Sequence, residues 1–271
     1  MTPVEPGADM VDTSKAVGRL TNRQRLDEMS WPQIKAAIDV GHRTLVAAAG
    51  SIEQHGPHLP LQTDTLLGTF LVQAIVERLP NVFQGPTIPF GVSEHHMPFS
   101  GTITMPKDLF KATVREYVSS LASHGFEHVF IVPSHGGNFG PLRELEAETG
   151  GNIGGARYVA YSDLNAFIQV MYGVAEKDGM TPAVCGAHAG EAETSLVLAA
   201  RSDLVEMDYA EEGFVDTFDD AAQRAVFEKG MIALTSNGIL GDARPADAER
   251  GLAYRDAMAD MLAAWIQERM P

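Results

Sequence analysis

Three short segments of the chain concentrate side chains that bind metal ions and transfer protons. Their acidic and imidazole residues are Glu53, His55, His58, Asp64, His135, His188, Glu191 and Glu193. Carboxylates and imidazoles together suit divalent ions such as Zn²⁺, Mn²⁺ or Fe²⁺. Glu53 and His55 are two residues apart, so in an extended loop their side chains point the same way. Asp64 stands at the start of a predicted helix, where the dipole favours a carboxylate that could bridge two ions.

Each of these residues, taken alone, has a simpler explanation. Asp64 could be a helix N-cap, and His55 or His58 could be an ordinary loop histidine. Gly136 and Gly137 could form only a tight turn between a strand and a helix. Their joint placement after successive predicted strands favours the metal site.

The elements that must position these residues alternate between strand and helix. Short apolar runs predict strands at 44–50, 128–133 and 157–161, with a weaker strand at 82–90. Helical spacing of apolar residues predicts helices at 64–79, 109–123, 138–149, 163–174, 188–200 and 246–270, a short helix from Ser30, and a loop at 176–186.

This alternation predicts parallel βαβ units, and therefore a three-layer α/β/α sandwich with a mainly parallel central sheet. We expect residues 1–25 to form a flexible N-terminal lead-in and residues 26–271 to form a single domain. In open parallel sheets, ligands bind beyond the carboxyl ends of the strands. The polar segments after the predicted strands should therefore converge at one edge of the sheet.

The composition excludes several classes of partner. The 271-residue chain has 36 acidic and 20 basic residues, a formal net charge of −16. Such a surface repels phosphate backbones and anionic lipid, so we expect neither nucleic-acid nor membrane binding. Cys185 is the single cysteine, which fits a reducing compartment, and no apolar stretch approaches the roughly 20 residues of a membrane span. We expect a cytoplasmic protein.

Four ordered motifs resemble the creatininase (creatinine amidohydrolase) family. They are EQHGPHLPLQTD at 53–64, GVSEHHMPFSGTI at 91–103, HGGN at 135–138 and HAGEAETS at 188–195. The second motif departs from the family at Ser100, which replaces the usual proline. The resemblance extends from about residue 30 to about residue 255 and implies a hydrolase with two divalent ions (Zn, Mn or Fe). It also implies a homo-oligomer, a hexamer by analogy.

The resemblance also implies roles for individual residues. Glu53, His55, Asp64 and His135 match the family's metal ligands, with Asp64 bridging the ions. Creatininases carry a further ligand Glu where this chain has Gly137, so Glu193 is assigned as the fifth ligand instead. His188 matches the histidine that transfers protons near the substrate.

Other residues in the motifs are candidates for proton transfer or substrate binding. Glu191 is a second candidate for proton transfer, although a carboxylate favoured by the first turn of a helix explains it equally well. Glycine lets the backbone approach a substrate closely, which adds Gly136 and Gly137 as substrate-binding candidates. The remaining substrate-binding candidates from these motifs are Ser93, His96 and Asn138.

The sequence favours a small, neutral or weakly charged amide as the substrate. The loops at 51–65, 91–105 and 134–142 contain no Lys or Arg to bind a phosphate. Family members that hydrolyse creatinine enclose it with tryptophans just upstream of the His-Ala-Gly motif, whereas this chain has only Trp31 and Trp265. Open alternatives are a formamide, the opening of a cyclic sugar derivative, a redox-cofactor precursor peptide, a lactone, or a catalytically silent metal-binding subunit.

Overall fold

A computed structural model describes residues 25–270 of the chain. The predicted flexible lead-in, except for Arg25, lies outside the described residues. None of the helices within residues 25–270 is long and apolar enough to cross a membrane.

The centre of the molecule is a five-stranded sheet with the order β2-β1-β3-β5-β4. The strands are β1 (Thr44–Ala49), β2 (Val82–Gln84), β3 (His128–Pro133), β4 (Asn152–Ile153) and β5 (Ala156–Ala160). Four of them are parallel, and the two-residue edge strand β4 pairs antiparallel with β5. The sheet is therefore mainly parallel, as the sequence predicts.

Nine α-helices lie within the described residues: α1 (Trp31–Asp39), α2 (Thr63–Glu77), α3 (Lys107–Ser123), α4 (Phe139–Thr149), α5 (Leu164–Ala175), α6 (Pro182–Cys185), α7 (Glu191–Arg201), α8 (Asp220–Lys229) and α9 (Ala248–Gln267). Short 3-10 helices occur at Leu26–Glu28, Glu94–His96, Gly136–Asn138, Glu176–Asp178, Ser202–Leu204, Met207–Tyr209 and Met231–Ala233.

Two hydrophobic cores, one on each face of the sheet, give the three layers. All of β1 is buried, and its successive side chains alternate between the two cores. Val46 and Ala48 pack with helices α2, α5, α7 and α9. Leu45 and Ala47 pack with helices α1, α3 and α4. A strand buried on both faces reads as a continuous apolar run, which is why the sequence predicts it well. The predicted α/β/α sandwich is confirmed.

The structure differs from the predicted elements where the local signal is weak. The strand predicted at 82–90 ends at Gln84, because Gly85 and Pro86 follow it. Part of the predicted loop at 176–186 is helix α6, whose N-cap Thr181 accepts a hydrogen bond from Val184 N. Helix α7 begins at Glu191 rather than 188, since His188 pairs with Leu240 in an isolated β-bridge. Helix α8 was not predicted.

Strands β1 and β3 are direct neighbours, and their last residues, Ala49 and Pro133, are paired in register. The loops that carry Glu53 and His135 therefore leave the same edge of the sheet side by side.

Candidate metal centre and active site

The loops after β1 and β3 and the first turn of α7 bring the five predicted metal ligands together. Glu53, His55, Asp64 and His135 are almost completely buried. The fifth, Glu193, has a side chain that is 19% exposed.

The ligand atoms form two groups of three that share Asp64. In the first group, His135 Nδ1 lies 3.2 Å from Glu53 Oε2 and 3.2 Å from Asp64 Oδ2. In the second group, His55 Nε2 lies 3.3 Å from Asp64 Oδ1 and 3.7 Å from Glu193 Oε2. Asp64 thus directs one oxygen to each group, as a bridging carboxylate would.

Each histidine of the cluster has one ring nitrogen beside a main-chain carbonyl. His55 Nδ1 lies 3.2 Å from Glu53 O, and His135 Nε2 lies 2.9 Å from Val92 O. A carbonyl only accepts, so each of these nitrogens carries a hydrogen, and the opposite nitrogen of each ring is the one that faces the carboxylates. Metal-binding histidines are oriented in this way.

Unsatisfied buried atoms show that this cluster fits metal ions. Within the described residues, the buried side-chain atoms without a hydrogen-bond partner are Glu53 Oε1, His55 Nε2, Asp64 Oδ2 and His58 Nδ1. An unpaired buried polar atom is costly, yet three of these four belong to predicted ligands. A divalent ion in each group would satisfy them.

His58 belongs to neither ligand group, but it connects two of the segments that carry the ligands. Its Nε2 lies 2.8 Å from Thr194 Oγ1, and its side chain is buried. Because Thr194 follows Glu193, this contact ties the loop after β1 to helix α7. Burial lowers the pKa of His58 to about 4, so the ring is neutral at pH 7.

The cluster's charges balance one another before metal binds. Burial alone would lower the pKa of His55, but the charge of Asp64 raises it to about 9. The pKa of His135 is likewise raised, mainly by Glu53, against the effect of burial. Burial would raise the pKa of Asp64, but nearby His55 lowers it. Burial raises the pKa of Glu193 to about 7. In the metal-free protein, both imidazoles therefore hold protons at neutral pH.

We expect the affinity of the metal-free protein for Zn²⁺ or Mn²⁺ to rise with pH up to about 9, the pKa of His55. A ligand imidazole must lose its proton before it binds metal, so raising the pH removes a competitor. The affinity should rise about tenfold per pH unit for each proton displaced. Calorimetric titration in buffers of different ionisation enthalpy would count the protons released.

The matched control for this titration is His124→Gln, which changes an exposed histidine just after α3. This variant should show the same pH dependence as the wild type. An affinity that does not change with pH below 9 would contradict ligation by His55 and His135.

His188 lies beside the cluster in a position suited to proton transfer. Its Nε2 lies 2.8 Å from Gln54 O and 3.0 Å from Gln54 Nε2. We assign the hydrogen to this nitrogen, because the carbonyl is the nearer partner and only accepts, and Nδ1 then keeps the lone pair. Nδ1 lies 3.9 Å from Glu53 Oε1 and forms a possible third ligand group with Glu53 and His55. Burial, together with the charge of His55, lowers the pKa of His188 well below its ordinary value.

Gln54 is a positioning residue that the sequence analysis did not identify. Its Nε2 donates to His96 Nδ1 at 2.8 Å and to Gly238 O at 3.3 Å, while its Oε1 accepts from Gly56 N at 3.0 Å. Its main-chain oxygen holds His188. Alternation along the loop directs Gln54 away from Glu53 and His55, which is why ligand spacing overlooks it.

Gly238 fits closely against this amide. It has a φ of +81°, and a Cβ added there would lie 1.9 Å from Gln54 Oε1. Any side chain at this position must displace Gln54.

We expect Gly238→Ala to lower both stability and hydrolytic activity by loosening Gln54 and therefore His188. Positive φ costs alanine roughly 1–2 kcal/mol, and overpacking adds roughly 1–3 kcal/mol. Urea unfolding and steady-state kinetics would measure the two effects. Gly179→Ala is the matched control, since Gly179 has a φ of +73° and open space around it. Equal losses in both variants would contradict a role for the Gln54 contact.

Only two of the five predicted substrate-binding residues line the cavity at the cluster, namely His96 and Gly136. Ser93 Oγ lies 3.3 Å from His135 Nε2 and also contacts Ser51 Oγ. Ser93 therefore helps to orient the His135 ring, on the side of the ring that faces away from the carboxylates. A Cβ on Gly137 would meet Val92 O at 2.1 Å, so the creatininase-type glutamate has no room in this backbone.

Asn138, the fifth candidate, binds main chain instead of lining the cavity. Its Nδ2 donates to Ala49 O at 3.1 Å and to Gly50 O at 3.0 Å, and its Oδ1 accepts from Val92 N at 3.1 Å. Asn138 therefore fixes the end of β1. We assign it, with Ser93 and Gly137, to the support of the site rather than to substrate contact.

Several residues of the cavity were not found from the sequence. His95 lines it, with its ring 5.5 Å from that of His135 and 4.9 Å from that of Phe227 on α8. Gln223 and Val226 of α8 also line it. Helix α8 therefore covers the site, a long-range contact that no local pattern signals.

The structure separates Glu191 from the cluster. Ser195 Oγ and Arg250 Nε donate to Glu191 Oε1 at 2.7 and 2.5 Å, and Tyr254 OH donates to Oε2 at 2.5 Å. Residues two apart on a helix lie about 200° apart, so Glu191 and Glu193 face opposite ways. Glu191 anchors α7 to α9, and both of its carboxylate oxygens accept hydrogen bonds there.

Comparison with known proteins finds similar sequences and a similar fold. A family model described as "Creatininase: Creatinine amidohydrolase" matches residues 27–266. A mycofactocin precursor peptide peptidase of Mycobacterium ulcerans (strain Agy99) is 31% identical over 85% of this chain and 83% of its own. A creatinine amidohydrolase of Pseudomonas putida is 26% identical over 90% and 96%. A solved mutant creatininase of the Zn-Zn type has a TM-score of 0.71 at 24% identity, covering 93% of this chain and 100% of that one.

Proposed function

The chain belongs to the creatininase family, and from that premise we propose that it hydrolyses a carbon–nitrogen bond of an uncharged amide with two divalent ions bound. The observation that carries the proposal is the pair of buried ligand groups that share Asp64 and leave ligand atoms unsatisfied.

Each of the two ligand groups could bind one ion. Glu53, Asp64 and His135 would hold one ion, and His55, Asp64 and Glu193 would hold the other. Mixed carboxylate and imidazole ligands suit Zn²⁺, Mn²⁺ or Fe²⁺. When bound, such ions acidify water and polarise a carbonyl oxygen.

The chain's own residues orient and protonate the reactants. Water adds to the carbonyl carbon, the carbon–nitrogen bond breaks, and the departing nitrogen must gain a proton. His188 is neutral because of its lowered pKa, and its Nδ1 lone pair faces the cluster. It can therefore take a proton from water and deliver it to the nitrogen, the usual role of a general acid and base.

The cavity walls favour an uncharged group near the reacting bond. Beside the ligands and histidines, the lining is largely apolar, with Leu164, Ile168 and Val226 among its residues. Neither tryptophan is at the cavity: Trp31 is 63% exposed on α1, and the Trp265 ring packs 5.2 Å from Tyr161 in the core. The features that suit a flat creatinine ring are therefore missing from the described cavity, which supports a peptide-like amide.

Metal content and turnover test the proposal together. Protein purified without added metal, then incubated with Zn²⁺ or Mn²⁺, should hold about two ions per chain by elemental analysis. It should hydrolyse short uncharged peptides or formamides faster than creatinine. A chain that takes up no metal, or that holds two ions and cleaves no amide, would overturn the proposal.

A further inference from the structure

The cavity at the ligand cluster is too small for most substrates. Its volume is about 70 Å³, and it includes Glu53, His135 and His188 in its walls. Pockets for small molecules usually measure roughly 300–1,000 Å³. The cavity can hold an amide group, so the rest of a substrate must lie elsewhere.

A larger groove of about 440 Å³ adjoins this cavity. The two share Ala187, Phe218 and Leu240 as a common wall. Main-chain hydrogen bonds fix part of that wall: Ala187 N donates to Leu240 O at 2.8 Å, and Leu240 N donates to His188 O at 2.8 Å. The groove therefore begins next to the proposed proton-transfer residue.

Phe218 is the partly exposed aromatic residue of the common wall. Its side chain is half-buried and packs against the small core of Val226, Met231 and Leu240. The next residue, Asp219, caps α8 by accepting from Ala221 N and Ala222 N at 2.9 Å. Joining the groove to the cavity requires the Phe218 ring to turn toward solvent, and this turn breaks no side-chain hydrogen bond.

The walls of the groove determine which chemical groups it can bind. Tyr172 and Phe214 provide aromatic surface, and Thr181 and Gln169 provide hydrogen-bonding groups. Among the residues of 25–270 that line the groove, Asp216 is the one acidic side chain, and none is Lys, Arg or His. An anion would have no basic partner here and would face Asp216.

We propose that this groove binds the part of the substrate that extends beyond the scissile bond, and that this part is an uncharged or positively charged chain. The inference rests on the proposed function, because the groove is identified by the wall of Ala187, Phe218 and Leu240 that it shares with the cavity at the ligand cluster. It narrows the substrate class to extended amides whose arm carries no carboxylate or phosphate.

Hydroxamates test the groove because their two oxygens chelate divalent ions while a chain of chosen chemistry extends from them. The probes are acetohydroxamate, hexanohydroxamate and two analogues of similar length that end in an ammonium or a carboxylate. Dissociation constants for the metal-loaded protein would be measured by calorimetry. Hexanohydroxamate should bind at least about tenfold more tightly than acetohydroxamate, as expected for burying several methylenes.

The charged analogues test the role of Asp216. The ammonium analogue should bind about two- to fivefold more tightly than the carboxylate analogue, the size expected for an exposed charge pair. Asp216→Lys should reverse this order. Asp108→Lys is the matched control, because its side chain is 92% exposed on α3 and the net charge changes equally. Reversal in both variants, or in neither, would overturn the proposal for charge selection by the groove.

Filling the groove tests its position. Ala183→Trp should reduce the ratio between hexanohydroxamate and acetohydroxamate affinities toward one. An unchanged affinity ratio in Ala183→Trp, or a ratio near one in the wild type, would contradict substrate binding in the groove without contradicting the proposed metal site. If acetohydroxamate does not bind, both the proposed metal site and the proposed role of the groove are contradicted. Light scattering would reveal an altered oligomer in Ala183→Trp, which would assign the groove to contacts between copies and overturn the proposal.

Discussion

Asp64→Asn should abolish hydrolysis and remove bound metal while preserving the volume of the side chain. Asp64 is the residue that both ligand groups share, with one oxygen toward His135 and the other toward His55. An amide cannot supply two anionic oxygens, so neither group keeps its full donor set. We expect turnover to fall by about 10³-fold or more, since loss of one preorganised donor already costs about 10²–10³-fold.

Glu193→Gln should remove fewer metal ions than Asp64→Asn, which distinguishes the two ligand groups. Glu193 belongs only to the group with His55 and Asp64. Its substitution should therefore remove about one ion per chain, whereas Asp64→Asn should remove both. Elemental analysis after dialysis would measure the ions, and circular dichroism would verify folding.

Asp108→Asn is the matched control for these substitutions, because it removes an exposed carboxylate that belongs to neither ligand group. It should keep both ions and full activity. Retention of two ions in Asp64→Asn would contradict the bridging assignment directly.

His188→Ala should separate amide from ester hydrolysis. An amine needs a proton in order to leave, whereas an ester leaving group scarcely does. We expect amide turnover to fall by about 10²–10⁴-fold, the usual contribution of a general acid or base. Lactone or ester turnover should fall much less. Steady-state kinetics on an amide and an ester with the same acyl group would measure the difference.

Metal content decides between the two roles that the geometry allows His188. Its Nδ1 also lies within reach of Glu53 and His55 as a possible ligand. If His188 transfers protons, the variant should still hold two ions. Loss of an ion, with equal losses of amide and ester turnover, would make His188 a ligand instead. His124→Ala, at an exposed position, is the control.

Hydrogen bonds from residues outside the two ligand groups hold the ligands in place. Substitutions of these residues should therefore also lower metal affinity or activity. Asn138 joins the end of β1 to Val92, and Val92 O holds His135. His58 links the β1 loop to α7 through Thr194. These buried hydrogen bonds orient the ligand atoms, and such contacts commonly contribute 10–100-fold to metal affinity or activity.

The sequence by itself determined the sandwich and located the candidate metal ligands. The runs at 44–50 and 128–133 are strands buried on both faces, where local composition and tertiary environment agree. Ligand-type residues follow those strands directly, and the parallel order of β1 and β3 brings them together. The candidate ligands come from residue chemistry together with the family resemblance, and neither depends on folding.

Only the tertiary structure decided which residues around the cluster face the cavity and which hold the ligand loops in place. Glu191 and Glu193 are the same residue type, two positions apart on α7. The helix nevertheless directs Glu191 to Arg250 and Tyr254, and it directs Glu193 to the cluster. Gln54 and helix α8 gain their roles from partners far along the chain, such as Gly238 and His95. Such contacts depend on packing between distant segments, and no local periodicity or spacing records that packing.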